Sequence, residues 1–405
     1  MCRICASVLA SSAAVAPRTI RRRFLHQGSA VASILSSICA TLASLGCIYL
    51  LAAIVVIRFR KPKERVSPWP EPVTLMKPLY GAEPWLAECL TSFLTQDYRG
   101  PMQIVFGVQH PDDPALSVAQ TLKERFAALD IEIVVDETAH GANGKVSNLI
   151  NMTPSAKYDI MIVSDGDIVA SPDYVTQVVS LLQRRKAGGA SMLYYGAWQG
   201  PVWSRLDAAW INTHFLPSVM IGRALSLAKP CFGSTIGLRR QALERIGGFE
   251  AFANQLADDY AIGEAVRKAG FALEIGPAVV GHVSHEQSFA SFIRHQLRWA
   301  RTIRSIDLPG YLGSLVSHPF AWALIGAVAG SATCLWLAAL ALGLRIGLSR
   351  TVTRSFEAPR EAIWLPLVTD IFSFGVFVWS FFGSEVIWKR SSFTVLSDGT
   401  LAHSR

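Results

Sequence analysis

The chain has 405 residues, about half of them apolar, only 17% charged, and a net charge of +8. That balance excludes a wholly soluble, highly charged protein, and the apolar excess is concentrated rather than spread. The basic residues cluster at the edges of apolar runs, in 58–65 and along 294–304, which fits anionic lipid headgroups and argues against a nucleic-acid partner. The seven cysteines are scattered, two of them in the first apolar run. The pattern predicts no disulfide framework, and Cys2–Cys5 is a CxxC without a second pair for zinc.

In chain order, residues 1–30 read as a basic leader and 31–57 as an uncharged run long enough to span a bilayer. A secretory signal is the competing reading, but the run is long and ends in Arg58 to Lys61, like a stop signal. Residues 66–318 have ordinary soluble composition. The uncharged run 320–344 and the run 362–384, whose one charge is Asp370, predict a C-terminal membrane hairpin over 319–384, followed by a tail at 385–405. A carboxylate inside an apolar span is costly, so Asp370 marks function or packing. The arginines at 345, 350, 354 and 360 fall between these runs. With the globular domain on the cytoplasmic side, that loop is expected opposite it, against the positive-inside rule, unless the hairpin is re-entrant or interfacial.

Within 66–318, strand patterns at 73–76, 103–108, 132–135 and 158–164 alternate with helix patterns at 85–95, 116–129 and 146–152. This order predicts an α/β fold with parallel strands and helices on both faces. Ligands of such sheets bind beyond the carboxyl ends of the strands, so the polar residues that follow each strand carry the functional argument. After the first strand, 77–84 reads as a turn. After the second, Asp112 and Asp113 either accept hydrogen bonds from a nucleobase or ribose, or Asp113 caps the next helix. After the third, a glycine-containing turn presents Lys145 at a helix start, where a lysine and free amides suit phosphate oxygens; a plain surface lysine is the alternative.

After the fourth strand comes Asp165–Gly166–Asp167. In an extended segment both carboxylates would face one side and, with diphosphate oxygens, hold Mg²⁺ or Mn²⁺. Asp258 and Asp259 open a later helix; one can cap it while Asp259 acts as a general base. In the basic segment 294–304, Arg294, Arg298 and Arg301 share a helical face. That face suits a diphosphate or an anionic membrane, with Trp299 stacking on a sugar or seating at the interface. The apolar stretch 203–227 reads either as core or as a groove for a lipid.

Taken together, Asp113, Asp165–Gly166–Asp167, Asp259 and Arg298–Trp299 resemble the ordered aspartates and terminal Arg-Trp of family 2-type glycosyltransferases, and more closely the ceramide glucosyltransferase-like family 21. The resemblance runs from about residue 77 to 304. It implies a GT-A, Rossmann-like parallel or mixed sheet, with one N-terminal and about two C-terminal transmembrane helices. It also implies metal-dependent inverting transfer from a UDP-sugar donor onto a lipid acceptor. Asp112, Asp113, Lys145, Asp165, His295, Arg298, Trp299 and Arg301 would bind the donor, Asp165 and Asp167 the metal, and Asp259 with Asp258 would serve catalysis. His295 stands where that family has Gln or Arg, and Asn143–Gly144–Lys145 where it often has Asn-Pro-Lys.

Stretches such as 215–221 and 249–260 are most similar to bacterial hopanoid-biosynthesis glycosyltransferases. That likeness implies N-acetylglucosamine transfer to bacteriohopanetetrol, at the inner membrane with the catalytic domain facing the cytoplasm. Glucose transfer to ceramide is the alternative. A processive polysaccharide synthase would need more spans than three. A non-catalytic lipid-binding protein on the same fold is a further alternative.

Overall fold

The computed structural model describes residues 18–60, 66–383, 385–388, 391–395 and 400–403, with side chains placed for 31–60, 66–383 and Thr400. Cys2, Cys5 and most of the basic leader therefore lie outside the described residues, as does Lys61 of the stop signal. The first element is α1 (Arg18–Arg58). After the linker come β1 (Val73–Leu79), α2 (Leu86–Leu94), β2 (Met102–Val108), α3 (Ala115–Arg125), β3 (Asp130–Val135), α4 (Gly144–Met152) and β4 (Ile160–Val163). These strands pair in parallel in the order β3-β2-β1-β4. β1, β2 and β4 are buried almost throughout, because helices cover both faces of a parallel sheet; that is why they read as unbroken apolar runs.

The second half is mixed. It comprises β5 (Ile168–Val169), α5 (Tyr174–Leu182), β6 (Ala187–Trp198), α6 (Val202–Trp210), a π-helical turn over Ile211–Phe215, α7 (Leu216–Ala224), β7 (Ile236–Arg239), α8 (Arg240–Arg245), α9 (Asp258–Lys268) and β8 (Ala272–Ser284). β7 runs antiparallel to both β4 and β6, and β8 is parallel to β6 and antiparallel to β5. The whole sheet reads β3-β2-β1-β4-β7-β6-β8-β5. The parallel half thus ends at β4, and the antiparallel β7 places residues 231–235 beside the carboxyl end of β4.

The chain then forms α10 (Phe289–Ile306), α11 (Leu308–Gly313), α12 (Pro319–Val328), α13 (Ala332–Phe356) and α14 (Leu365–Trp379). The tail contributes β9 (Glu385–Trp388), β10 (Ser391–Val395) and β11 (Leu401–His403), an antiparallel sheet. Residue 400 bridges to Gln255.

Among the described residues, Val31–Arg58 and Ala332–Phe356 are helices long and apolar enough to cross a membrane. They run parallel. Cys334 Sγ meets the Ser36 carbonyl at one end, and Arg60 sits over the Phe356 ring and donates to the Ser355 carbonyl at the other. The bent pair Leu308–Ser317 and Pro319–Val328 makes a third span if it is counted as one, and Leu365–Ser380 is a shorter apolar helix. The run 320–344 is split between α12 and α13, and α12 bends by 62° from Leu308–Ser317. Pro319 has no amide proton to continue the preceding helix. Since α13 ends beside Arg60, Arg350, Arg354 and Arg360 lie at the globular-domain end of the bundle, not opposite it. Arg345 is not in a loop at all: it lies inside α13 and is 1% exposed. The conflict with the positive-inside rule disappears.

Candidate active site

The residues past β4 form a turn rather than the extended segment expected from the sequence, with Gly166 and Asp167 at its corner. The two carboxylates therefore take different partners on one cavity. Asp165 Oδ1 lies 2.6 Å from Lys145 Nζ, and Asp167 Oδ2 lies 3.4 Å from His282 Nε2. Burial alone would raise the Asp167 carboxyl, but the imidazolium outweighs it and holds the carboxyl down to about 2. Burial would lower His282, yet Asp167 lifts it to about 9. Asp165 is raised, by burial first, with Lys145 opposing.

Lys77 supports this turn from beneath. Its ammonium donates to the Asp165 carbonyl and to Ser164 Oγ (3.2 Å), and lies 3.6 Å from the centroid of the Phe93 ring. Lys77 is fully buried, and burial pushes it down to about 7 against the pull of nearby acids.

The loop before α4 is tied to the loop before α9. Asn143 caps α4 by accepting from the Val146 N–H (3.1 Å), and donates to the Gln255 carbonyl (2.8 Å) and Asp258 Oδ1 (3.3 Å). A Cβ at Gly141 would stand 2.5 Å from the Ala253 carbonyl oxygen, so only glycine permits this approach. The tie brings Lys145 within 3.6 Å of Asp258 Oδ2. Burial would lower the lysine, but Asp165 and Asp258 hold it above its ordinary range. Asp258 makes no side-chain cap on α9; its charge faces Lys145 and Asn143.

Asp259 accepts from the Gly233 N–H through Oδ2 and from the Tyr260 N–H through Oδ1, each at 2.8 Å. Burial first, then the Asp258 charge, lift it to about 6. The open face of Gly233 marks the point of convergence. A Cβ there would lie 2.9 Å from Lys145 Nζ, 3.1 Å from Asp165 Oδ2 and 3.6 Å from Asp259 Oδ2.

These groups line a cavity of about 770 Å³, a size that suits a small-molecule ligand. From α10 it receives His295, Arg298, Trp299, Thr302, Ile303 and Ile306, a helical stripe at three- and four-residue spacing. His295 Nδ1 is 2.7 Å from Glu286 Oε1. Trp299 packs edge-on against Phe215 and His295, at centroid distances of 5.7 and 5.0 Å.

Other residues proposed from the sequence lie elsewhere. Arg301 donates to the Phe382 carbonyl (3.0 Å), and Arg294 is exposed; each sits one position off the stripe, so about 100° of helix turn aims it away. Asp112 is exposed and, like Asp113, is not in the cavity wall. Asp113 instead accepts from the Gly81 N–H (2.9 and 3.1 Å) and the Ala115 N–H (2.9 Å), fixing the loop that does line the cavity.

Sequence reasoning missed His282, Lys77 and Gly233. His282 lies in the last three residues of β8, a strand the sequence pattern does not reveal. Lys77 was visible only as part of a turn. Gly233 carries no sequence signal of its own.

Residues 35–401 match the sequence model of glycosyl transferase family 21. The chain belongs to that family. Among curated relatives, ceramide glucosyltransferase 1 of Caenorhabditis elegans is 23% identical over 269 residues, covering 64% of this chain and 57% of that one. The ceramide glucosyltransferase of Candida albicans is 35% identical over 123 residues, 27% of this chain and 23% of that one. An N-acetylglucosaminyltransferase of Mesorhizobium japonicum is 24% identical over 262 residues, 58% and 56%. The chain thus spans little more than half the length of the first curated relatives it matches. A solved mannosyltransferase of Pyrobaculum calidifontis, in complex with GDP-Man and Mn²⁺, shares the fold at a TM-score of 0.50 and 19% identity, over 86% of this chain and 99% of that one. The fold of this family 21 chain is thus a mixed α/β sheet of the GT-A kind.

Proposed function

We propose that the protein transfers N-acetylglucosamine from its UDP form to the hydroxyl of a membrane lipid, a hopanoid polyol such as bacteriohopanetetrol, with inversion at the anomeric carbon. One observation carries this reading: a single cavity joins the convergent acids and Lys145 to an apolar wall of Phe215, Leu227, Trp299, Ile303 and Ile306. The likeness to the Mesorhizobium enzyme favours the N-acetylglucosaminyl donor. The ceramide glucosyltransferase relatives keep glucose transfer to ceramide as the second reading.

The residues present fit a divalent cation. Asp167 Oδ1 is buried without a hydrogen-bond partner, and carboxylate oxygens suit Mg²⁺ or Mn²⁺. Asp165 and Asp167 would hold the ion, which when bound neutralises charge on the leaving diphosphate. Lys145 and Arg298 face the same space and balance the remaining phosphate charge. Asp259, lifted to about 6 and aimed by two backbone N–H groups, takes the proton of the acceptor hydroxyl as its oxygen attacks. Asp258 stays beside it as the charge that raises it. Trp299 offers a flat face to the sugar or acceptor. The catalytic domain faces the cytoplasm of a bacterial inner membrane in this reading.

The test is a product assay. Protein in detergent receives Mg²⁺ or Mn²⁺, UDP-N-acetylglucosamine or UDP-glucose, and bacteriohopanetetrol or ceramide, with mass spectrometry and anomer analysis of the lipid. A β-linked N-acetylglucosaminyl hopanoid is expected from an α-linked donor. Glucosylceramide would change the substrates and keep the mechanism. No product from any pair would leave a lipid-binding protein on a transferase fold.

A further inference from the structure

The cavity changes character away from its acids. On one side it is walled by Phe215, Leu227 and Ala228, and on the other by Trp299, Ile303 and Ile306. At the rim, apolar side chains face outward: Leu225 and Leu227 are 62% and 79% exposed, and Leu308 and Leu312 about half exposed. The first pair is held there by structure. The Leu227 and Ala228 amides both donate back to the Gly222 carbonyl, at 2.8 and 3.0 Å, and Ser226 adopts a left-handed φ of 57°. A side chain in that conformation is strained, and such strain collects at functional loops.

Both rims are joined by short segments to residues packed on the apolar helix α1. Ser218 of α7 bonds to the Tyr49 hydroxyl at 2.8 Å, nine residues or roughly 13 Å inside α1 from Arg58. At its other end Arg223 donates to the Ile275 carbonyl of the globular domain (3.1 Å). The helix thus climbs out of the apolar layer and delivers residues 225–228 at its edge. Opposite, Val316 and Pro319 press against Gly46 of α1, and 308–312 lead directly into that segment.

We propose that the gap between 225–228 and 303–312 is a lateral portal for a single membrane lipid. Its apolar body stays in the leaflet on the globular-domain side, between these two rims, while its hydroxyl reaches Asp259. This rests on the transferase reading for the fate of the hydroxyl, but not for the binding of the lipid. The apolar rim is continuous with the membrane-crossing helices, which favours a lipid over a soluble partner.

The experiment uses the full chain in phosphatidylcholine nanodiscs with a long-chain alcohol bearing a diazirine in its tail. Photolabel is expected on peptides containing 225–228 and 303–312, falling at least fivefold in the double variant Leu225→Asp/Leu308→Asp. Both side chains are exposed, so the fold does not depend on them. Label confined to α1, α12 and α13 would overturn the portal. In turnover, the ratio of kcat/KM for a long-chain acceptor in the bilayer to that for a short-chain soluble acceptor should drop about tenfold in the variant. An unchanged ratio would also overturn it. Label at the portal in a protein that transfers neither sugar would leave the lipid site standing and remove the transferase reading instead.

Discussion

Two of the buried charge clusters among the described residues are built from the same residue types and placed very differently. One lies at the carboxyl edge of the sheet: Asp165, Asp167, Asp258 and Asp259 with Lys77, Lys145 and His282, on an open cavity. The other lies in the membrane bundle. Arg345 donates to the Asp370 carboxylate, to the Thr213 carbonyl (2.6 Å) and to the Ser317 carbonyl, and His214 Nε2 stands 3.1 Å from Asp370 Oδ1. His318 completes it, and these four side chains are at most 4% exposed. The carbonyls that Arg345 takes belong to the π-helical turn and to the break before α12, so one guanidinium serves two helix irregularities. There the charges are matched one for one and sealed. At the sheet edge four carboxylates outnumber the cations and face empty volume. A closed, paired set fixes shape; an open, unbalanced set is where a charged ligand is received.

Asp165→Asn breaks the comparison most sharply. Turnover should fall on the order of a thousandfold, as expected when charge compensation at a leaving diphosphate is lost. The melting temperature should stay within a few degrees. A matching collapse in stability would make the Asp165–Lys145 pair structural, like the membrane pair. Asp259→Asn should cost about a hundredfold, the scale of one general base. The base works deprotonated and is lifted to about 6 by burial and Asp258. In the wild type, kcat/KM should therefore fall tenfold per pH unit below about pH 6 and level off above it. A limb absent in wild type, or surviving in the Asn variant, would assign the proton to another group.

The first half of the domain was legible because its strands are buried on both faces and read as apolar runs ending in polar residues. The second half was not. β6 opens Ala187–Gly188–Gly189–Ala190–Ser191, and β8 carries Gly276, Pro277 and Gly281, so neither shows a strand pattern. With β8 unread, His282 had no strand end to belong to. The aspartate pair could be placed but not oriented, because a turn at Gly166 sends the carboxylates to different partners. In the membrane, composition found the apolar residues and missed the breaks: the turn at Gly330 divides the run 320–344, and Pro319 starts a new helix just before it.

The membrane cluster makes the converse prediction. Arg345→Met leaves Asp370 buried without its guanidinium and with only His214 as a hydrogen-bond partner, which should cost about 3–5 kcal/mol of stability, read as a lower melting temperature in detergent. Turnover per folded molecule should change only a few-fold. Arg345→Met/Asp370→Leu should recover most of the loss, since removing both charges removes the penalty. If the double variant is stable but inactive, the cluster belongs to the chemistry and the contrast between the two regions is wrong.

The smallest effect expected is at Asp113, which belongs to neither cluster. Its carboxylate holds the Gly81 and Ala115 amides, and Gly81 sits at a φ of 73° in the loop that walls the cavity. Asp113→Ala frees that loop and loses hydrogen bonds worth about 1–2 kcal/mol at a half-exposed site. The donor KM should rise several-fold to tenfold with kcat nearly unchanged. Asp113→Asn separates the two ways this could arise. An asparagine oxygen still accepts from Gly81, so a positioning role predicts a KM close to wild type. A carboxylate that itself meets the ribose or base predicts that Asn is as poor as Ala.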